Sequence, residues 1–261
     1  MPSHTLFLNS ENATTSSTNG DEFMIRFNQP IEIPRDAKNT KIYLHSANIW
    51  YAFPNITIAG GNADFYITDD AANATKYNIV LDDGLYSLSD LSTEIDRLLL
   101  ADHAISSGTL TLSGDYSTGK VIVNLATGYQ VNFASDTMYE LLGATSGQLV
   151  PSGGLTTGTY TEKLPNVATF SSLANILLHC SLSNSGVYNT STSTVLGSIP
   201  ITSEPGYEIV YQPYNLLKLN ADHLRGSSIN EITCFITDDD GSTRLNTNNE
   251  DWNCVICIEW D

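Results

Sequence analysis

Short segments of alternating apolar and polar residues cover most of the chain, and their two-residue period is typical of β-strands. In the first part of the chain, the candidate strands are 5–8, 23–27, 41–51, 64–68 and 77–81. In the last part, they lie within 170–182 and at 207–211, 229–236 and 254–258. Polar runs at 9–21 and 183–194, rich in Asn, Ser and Thr, predict loops. Strands at this spacing predict a β-sandwich or a barrel.

Between residues 88 and 99 the apolar period changes from two to 3.6, which predicts an amphipathic helix. Ser87 followed by Asp90 supplies an N-cap with an acidic residue in the first turn. The apolar residues that recur at helical intervals are Leu88, Leu91, Ile95, Leu98 and Leu99. We expect this stripe to cover a neighbouring sheet.

Three short strands follow the helix, at 109–112, 120–125 and 129–133. Ser135 is then the expected N-cap of a short second helix that ends before Gly143 in the C′ position. We therefore expect residues 79–149 to form an inserted α+β subdomain, and residues 1–78 and 150–261 to form the surrounding β domain. The Gly/Ser/Thr-rich stretch 146–161 predicts a surface connection between them.

Charge and hydropathy disfavour several kinds of partner. The 261 residues include 29 acidic and 11 basic side chains, so the net charge of −18 repels nucleic acids and anionic membranes. No run approaches the ~20 consecutive apolar residues that span a bilayer. The first residues show no basic segment followed by an apolar one, so we expect synthesis in the cytosol, without a cleaved signal and with reduced thiols.

The four cysteines do not form a recognised metal motif. Cys254 and Cys257 are a C-x-x-C pair, but a strand pattern encloses them, and an offset of three places their side chains on opposite faces. Cys180 and Cys234 do not complete a zinc spacing. We therefore expect buried thiols and no metal ligands.

The sequence also predicts no catalytic or cofactor-binding residues. The five histidines are far apart, and no nucleophile elbow, phosphate-binding glycine loop or dinucleotide fingerprint is present. His45 and His179 lie in strand patterns, where a histidine is usually a packing residue. The acidic run 238–240 before Gly241 does not fit a helix–loop–helix calcium loop, and a solvated turn is the expected structure. The same holds for Asp82-Asp83-Gly84. We expect the protein not to be an enzyme.

The order of these features resembles the penton, or minor capsid, proteins of virophages, Polinton-like elements and related jelly-roll double-stranded DNA viruses, and more distantly the adenovirus penton base. The segments that carry the resemblance are FMIRFN at 23–28, IVLDDGLYSLSDL at 79–91, YELLG at 139–143, ITDDDG at 236–241 and EDWNCVICIE at 250–259. They follow one another over nearly the whole chain, and they are turn, cap and strand residues rather than a chemical signature.

The resemblance implies an all-β fold, a single eight-stranded jelly-roll β-sandwich with an inserted small α+β subdomain at one end. It implies a structural virion protein, a homo-pentamer at the five-fold vertices of an icosahedral capsid, made in the host cytosol or a virus factory. The implied partners are the major capsid protein of the same virion and a host receptor or fibre. Integrin binding is not implied, because Arg225-Gly226 is followed by Ser227 and not by an aspartate.

A carbohydrate- or receptor-binding jelly-roll module of a phage tail or cell surface is the alternative, because this fold serves both functions. Exposed aromatic side chains on a concave surface would favour the binding module, and a broad apolar flank would favour subunit contact. Trp50, Trp252 and Trp260 all fall in or next to strand patterns, and for at least two of them we expect core packing.

Overall fold

A computed structural model describes the chain apart from residues 1, 71, 73–74, 134–137, 171–172 and 189–190 and the side chain of Tyr188. The chain forms two compact units. The first, called the outer unit here, comprises Met1–Phe53 and Leu173–Asp261. The second, the inserted unit, comprises Pro54–Ser172.

The elements are numbered in chain order. The outer unit begins with β1 (Ser3–Asn9), β2 (Thr15–Ser16), β3 (Glu22–Glu32) and β4 (Lys41–Trp50). The inserted unit contains β5 (Asp64–Thr68), β6 (Tyr77–Val80), α1 (Leu88–His103), β7 (Leu110–Asp115), β8 (Lys120–Leu125), β9 (Gln130–Phe133), α2 (Met138–Leu142), β10 (Gln148–Val150) and β11 (Tyr160–Lys163). The outer unit continues with β12 (Asn175–Cys180), β13 (Gly186–Tyr188), β14 (Ser191–Ser193), β15 (Val195–Pro200), β16 (Glu208–Tyr211), β17 (Leu219–Asn220), β18 (Ser228–Thr237) and β19 (Asn253–Glu259). Short 3₁₀ turns lie at Ser10–Asn12 and Asp222–Leu224.

Two large antiparallel sheets build the sandwich of the outer unit, and β13 and β14 form a separate two-stranded sheet. The first has the order β1-β19-β4-β16, with β17 also pairing with β4, and the second has the order β15-β12-β18-β3-β2. The sandwich has eight main strands. In the first sheet these are β1, β4, β16 and β19, and in the second sheet they are β3, β12, β15 and β18. This is the connectivity of a jelly roll, so the strand order confirms the predicted fold class.

The core of the outer unit lies between the inner faces of these sheets. On β19, Cys254, Ile256 and Ile258 are completely buried, whereas Val255 points to the opposite face of the sheet and is partly exposed. Gly197 on β15 brings the second sheet so close to Leu44 on β4 that an added Cβ would lie 3.0 Å from its Cδ2. The alternation of the sequence therefore produces a two-layer core.

The inserted unit has two small antiparallel sheets, β10-β9-β5-β6 and β11-β8-β7, and one apolar core. Helix α1 packs on this core through Leu91, Ile95, Leu98 and Leu99, four residues of the predicted stripe. The Ser87 hydroxyl accepts the Asp90 amide at 3.2 Å, and the Asp90 carboxylate accepts the Ser87 amide at 3.3 Å. This reciprocal cap confirms the predicted start of the helix.

Helix α2 ends at Leu142, and Gly143 follows with φ +80°, as predicted for a C′ glycine. Ser135, the expected N-cap of this helix, lies outside the described residues.

Several segments differ from the sequence predictions. The compact inserted unit begins at Pro54 and ends at Ser172, so the predicted limits of 79 and 149 fall inside it. The physical reason is that β5 and β6 pair with each other and β5 pairs with β9, which places both strands in a sheet of the inserted unit. The stretch 146–161, predicted as a connection, contains β10 and the start of β11, which pair with β9 and β8.

Three smaller corrections concern the polar runs and a turn. The predicted loop 183–194 contains the hairpin β13–β14, and the predicted loop 9–21 contains β2. Strand β7, predicted to end at 112, continues to Asp115, so the turn that follows it lies at 116–119. Each is a short strand whose pairing with a neighbour outweighs its polar composition.

Candidate functional surfaces

His179 is a buried structural residue in this fold. Its Nδ1 lies 3.0 Å from the Thr194 hydroxyl, its Nε2 lies 3.1 Å from the Thr237 hydroxyl, and its ring stacks on Phe235 with centroids 4.3 Å apart. Burial, and secondarily the charge of Arg244, lower the pKa of His179 to about 4. The imidazole is therefore neutral near pH 7, with both nitrogens engaged by hydroxyls.

Arg244 closes this cluster from the loop between β18 and β19. Its guanidinium carbon lies 3.5 Å from the centroid of the Phe235 ring, and its nitrogens bind Asp21 at 3.2 Å and Glu22 at 2.8 Å. The second sheet is thus covered here by an arginine held between an aromatic face and two carboxylates. His45 has a different environment, because it is exposed at an irregularity of β4 opposite β19.

Cys254 and Cys257 have different neighbours, because they lie on opposite faces of β19 as their spacing predicts. Cys180 and Cys234 face each other across β12 and β18, and Cys234 also contacts Cys254 on the opposite sheet. Cys257 instead lies 3.7 Å from the Thr5 hydroxyl, beside Tyr43 on the outer side of its sheet. Cys254 and Cys257 therefore do not converge on one point. Within the described residues, no group of three or more His, Cys, Asp or Glu side chains is arranged to hold a metal ion.

The acidic run 238–240 forms a turn stabilised by its own side chains. The Asp240 carboxylate accepts hydrogen bonds from the amides of Ser242 and Thr243 and from both of their hydroxyls. Burial raises the pKa of Asp238 to about 6, and the hydrogen bond with Asp240 adds to this effect. These oxygens serve the turn, in agreement with the predicted solvated turn.

The outer face of the first sheet carries exposed apolar side chains. Phe7 on β1 is 80% exposed, next to Val255 on β19, while Val210 on β16 is 60% exposed. Trp50 at the end of β4 is 42% exposed, whereas Trp252 and Trp260 are buried, so core packing holds for two of the three tryptophans, as predicted. The strand pattern identified these positions without showing which face would remain uncovered.

A cleft of about 410 Å³ opens at the β7–β8 hairpin of the inserted unit. Its apolar walls include Leu88, Val121, Ala168 and Phe170. Tyr116, in the hairpin turn, stands at its edge and is 99% exposed. Tyr116 was not among the residues predicted from the sequence, although an aromatic side chain in a polar segment between Gly114 and Gly119 was the available signal.

Neither described helix has the length and apolar character needed to cross a membrane.

The strand order thus defines a jelly-roll β-sandwich, and a separate α+β unit is inserted in the chain between β4 and β12. Two solved structures are similar over nearly the whole chain. The mavirus penton protein is 12% identical, with a TM-score of 0.49 over 99% of this chain and 100% of that one. A chain of the Sputnik virophage is also 12% identical, with a TM-score of 0.45 over 98% of this chain and 97% of that one. No protein-family model and no curated protein matches the sequence.

Proposed function

We propose that this protein is a structural capsid protein that assembles into the pentameric penton at the five-fold vertices of an icosahedral virion. The observation that carries the proposal is the jelly-roll strand order with a separate unit inserted between β4 and β12. The motifs that carry the resemblance have defined structural roles in this chain: 87–90 cap α1, Gly143 follows the end of α2 and Trp252 packs against Phe23 of the second sheet.

The exposed outer face of the first sheet supports a subunit contact. A ring of five copies needs a heterologous contact, in which one face of each copy meets a different face of the next. Phe7, Val210 and Trp50 give this sheet an apolar surface that a monomer would leave in water. The net charge of −18 favours solubility of the free protein and makes assembly dependent on salt.

In this proposal the major capsid protein of the same virion surrounds the pentamer. The inserted unit contacts a host receptor or a fibre. The protein resides in the virion after synthesis in the host cytosol or a virus factory, and it binds no nucleic acid directly.

Electron microscopy of the purified protein tests the proposed assembly. We expect rings with five-fold symmetry, and we expect Phe7→Ser to reduce the ring fraction. Tyr214→Ser is the matched control, because Tyr214 is fully exposed but lies between β16 and β17 rather than on the sheet. If Phe7→Ser and Tyr214→Ser form rings equally well, the outer face does not contribute to assembly.

A carbohydrate- or receptor-binding module is the second candidate, and the exposed Tyr116 beside a cleft is the observation that favours it. A stable monomer that is retained on immobilised glycans would support this candidate against the capsid protein.

A further inference from the structure

The cleft at the β7–β8 hairpin has the size of a small-ligand site. Its volume of about 410 Å³ falls within the ~300–1,000 Å³ typical of such sites. A stable protein partner would need about 800 Å² of surface on this side, and the neighbouring Ser117, Thr118 and Thr169 are polar and exposed. The cleft therefore fits a compact ligand better than the surface of a protein partner.

The chemistry of the walls restricts that ligand. The space between Leu88 and Tyr116 is open because residue 114 is a glycine. A Cβ at this position would occupy that space, 3.5 Å from Leu88 Cδ2 and 3.7 Å from Tyr116 Cε1. Apolar carbon from Val121 and Phe170 continues this floor. A methyl group or another small apolar group is the part of a ligand that this space accommodates.

The charged groups beside the cleft are already paired. The Asp115 carboxylate binds the Lys163 ammonium and the hydroxyls of Ser117 and Thr118, and the Lys120 ammonium donates to the Pro165 carbonyl. An ionic ligand would therefore have to displace an existing partner. The ligand that fits is neutral, with hydrogen-bond donors for the hydroxyl oxygens of Ser117 and Thr118, whose own protons are donated to Asp115.

Tyr116 supplies a flat aromatic surface at the edge of this site. Its ring is accessible on both faces, and aromatic faces attract the C–H face of a sugar ring through dispersion and the ring quadrupole. From these observations we infer that the hairpin cleft binds an N-acetylated hexosamine of a neutral glycan. The sugar ring stacks on Tyr116, and its acetamido methyl group enters the apolar floor between Leu88 and Phe170.

This inference rests on the attachment role proposed for the inserted unit and is independent of pentamer formation. The test is saturation-transfer NMR of the full chain with N,N′-diacetylchitobiose, up to about 10 mM, where a millimolar site is mostly occupied. We expect saturation of the acetamido methyl and ring protons. Tyr116→Ala should weaken binding by about tenfold or more, whereas Tyr116→Phe should retain it.

Tyr214→Ala is the control, because it removes an equally exposed tyrosine from the outer unit. No transfer to the wild-type protein at ~10 mM, or equal binding by Tyr116→Ala and the wild type, would overturn the inference. The molar mass of the same sample separates the two proposals. A pentamer without binding contradicts the glycan site alone, and a monomer that binds contradicts the pentamer alone.

Discussion

The rings of Phe23 and Trp252 lie with their centroids 4.6 Å apart, and both side chains are completely or almost completely buried. Phe23 belongs to β3 of the second sheet, and Trp252 immediately precedes β19 of the first. The Trp252 indole also donates a hydrogen bond to the Gly20 carbonyl at 2.8 Å. This pair therefore joins the two layers of the jelly roll.

Removal of the Trp252 side chain should destabilise the outer unit strongly. We expect Trp252→Ala to lower the free energy of unfolding by about 3–5 kcal/mol, because it leaves a cavity against Phe23 and an unpaired Gly20 carbonyl. Denaturant unfolding followed by circular dichroism measures the change. The half-exposed Trp50 is the control, and Trp50→Ala should cost less than about 1 kcal/mol in the monomer. Equal losses would contradict the inter-sheet role of Trp252.

His179 should make stability depend on pH. Its pKa is about 4 in the folded protein and 6.5 when unperturbed, so the unfolded chain takes up the proton first as the pH falls. Its contribution is complete above pH ~6.5 and is lost between pH ~6.5 and ~4, by about 3 kcal/mol in total. Asp238, whose folded pKa is raised to about 6, has the opposite effect in part of this range.

The difference between the wild type and His179→Gln isolates the histidine from Asp238. Glutamine can bond to the same threonine hydroxyls but does not titrate. We expect the stability advantage of the wild type over this variant to fall as the pH decreases from 7 to 4. A difference that stays constant across this range would show that His179 does not titrate with a depressed pKa.

Gly143 and Gly128 form a matched pair for measuring a steric clash. Both have positive φ, +80° and +88°, so alanine is strained at each by roughly 1–2 kcal/mol. At Gly143 an added Cβ would also lie 2.4 Å from the Asn166 carbonyl oxygen, whereas at Gly128 it meets no atom within 4 Å. We expect Gly143→Ala to cost about 1–3 kcal/mol more than Gly128→Ala. Thermal unfolding of both variants measures this, and equal melting temperatures would refute the close approach of 166 to the end of α2.

The thiols of Cys180 and Cys234 should be unreactive in the folded protein. The hydrogen bond with Cys234 and burial raise the pKa of Cys180 well above its usual value. For Cys234, contact with Cys180 lowers the pKa, but the hydrogen bond with Cys254 and burial outweigh it, so the pKa is also raised. Because the thiolate is the nucleophile, alkylation should occur only after unfolding.

Peptide mass spectrometry after iodoacetamide treatment, with and without denaturant, gives the extent of modification at each cysteine. Modification of Cys180 or Cys234 in native buffer, at the rate seen in denaturant, would contradict their burial between the sheets.

The alternating pattern predicted the strands that bury one face, such as β4 and β19. Successive side chains of a strand point to opposite faces, so a strand with one buried face has an apolar residue at every second position. Helix α1 was predictable because its stripe and the Ser87–Asp90 cap are local signals. Strand β15 was not predicted, because Gly197 and Ser198 have low strand propensity. The glycine is explained by close packing against Leu44, which the local sequence does not show.

The limits of the inserted unit could not be predicted, because periodicity identifies a strand but not its partner. The pairing of β5 with β9 joins residues more than sixty positions apart. The same limitation applies to the functional surfaces. Phe7 and Tyr116 are exposed because no other segment of the described chain covers them, and the local sequence around each residue does not show this.

The absolute mass of the purified protein in solution tests the central claim most directly. Light scattering over a range of protein concentration and ionic strength should give five times the chain mass of 28.4 kDa, with the pentamer favoured as salt screens the acidic charge. A mass of 28.4 kDa under every condition would contradict pentamer formation by this chain alone.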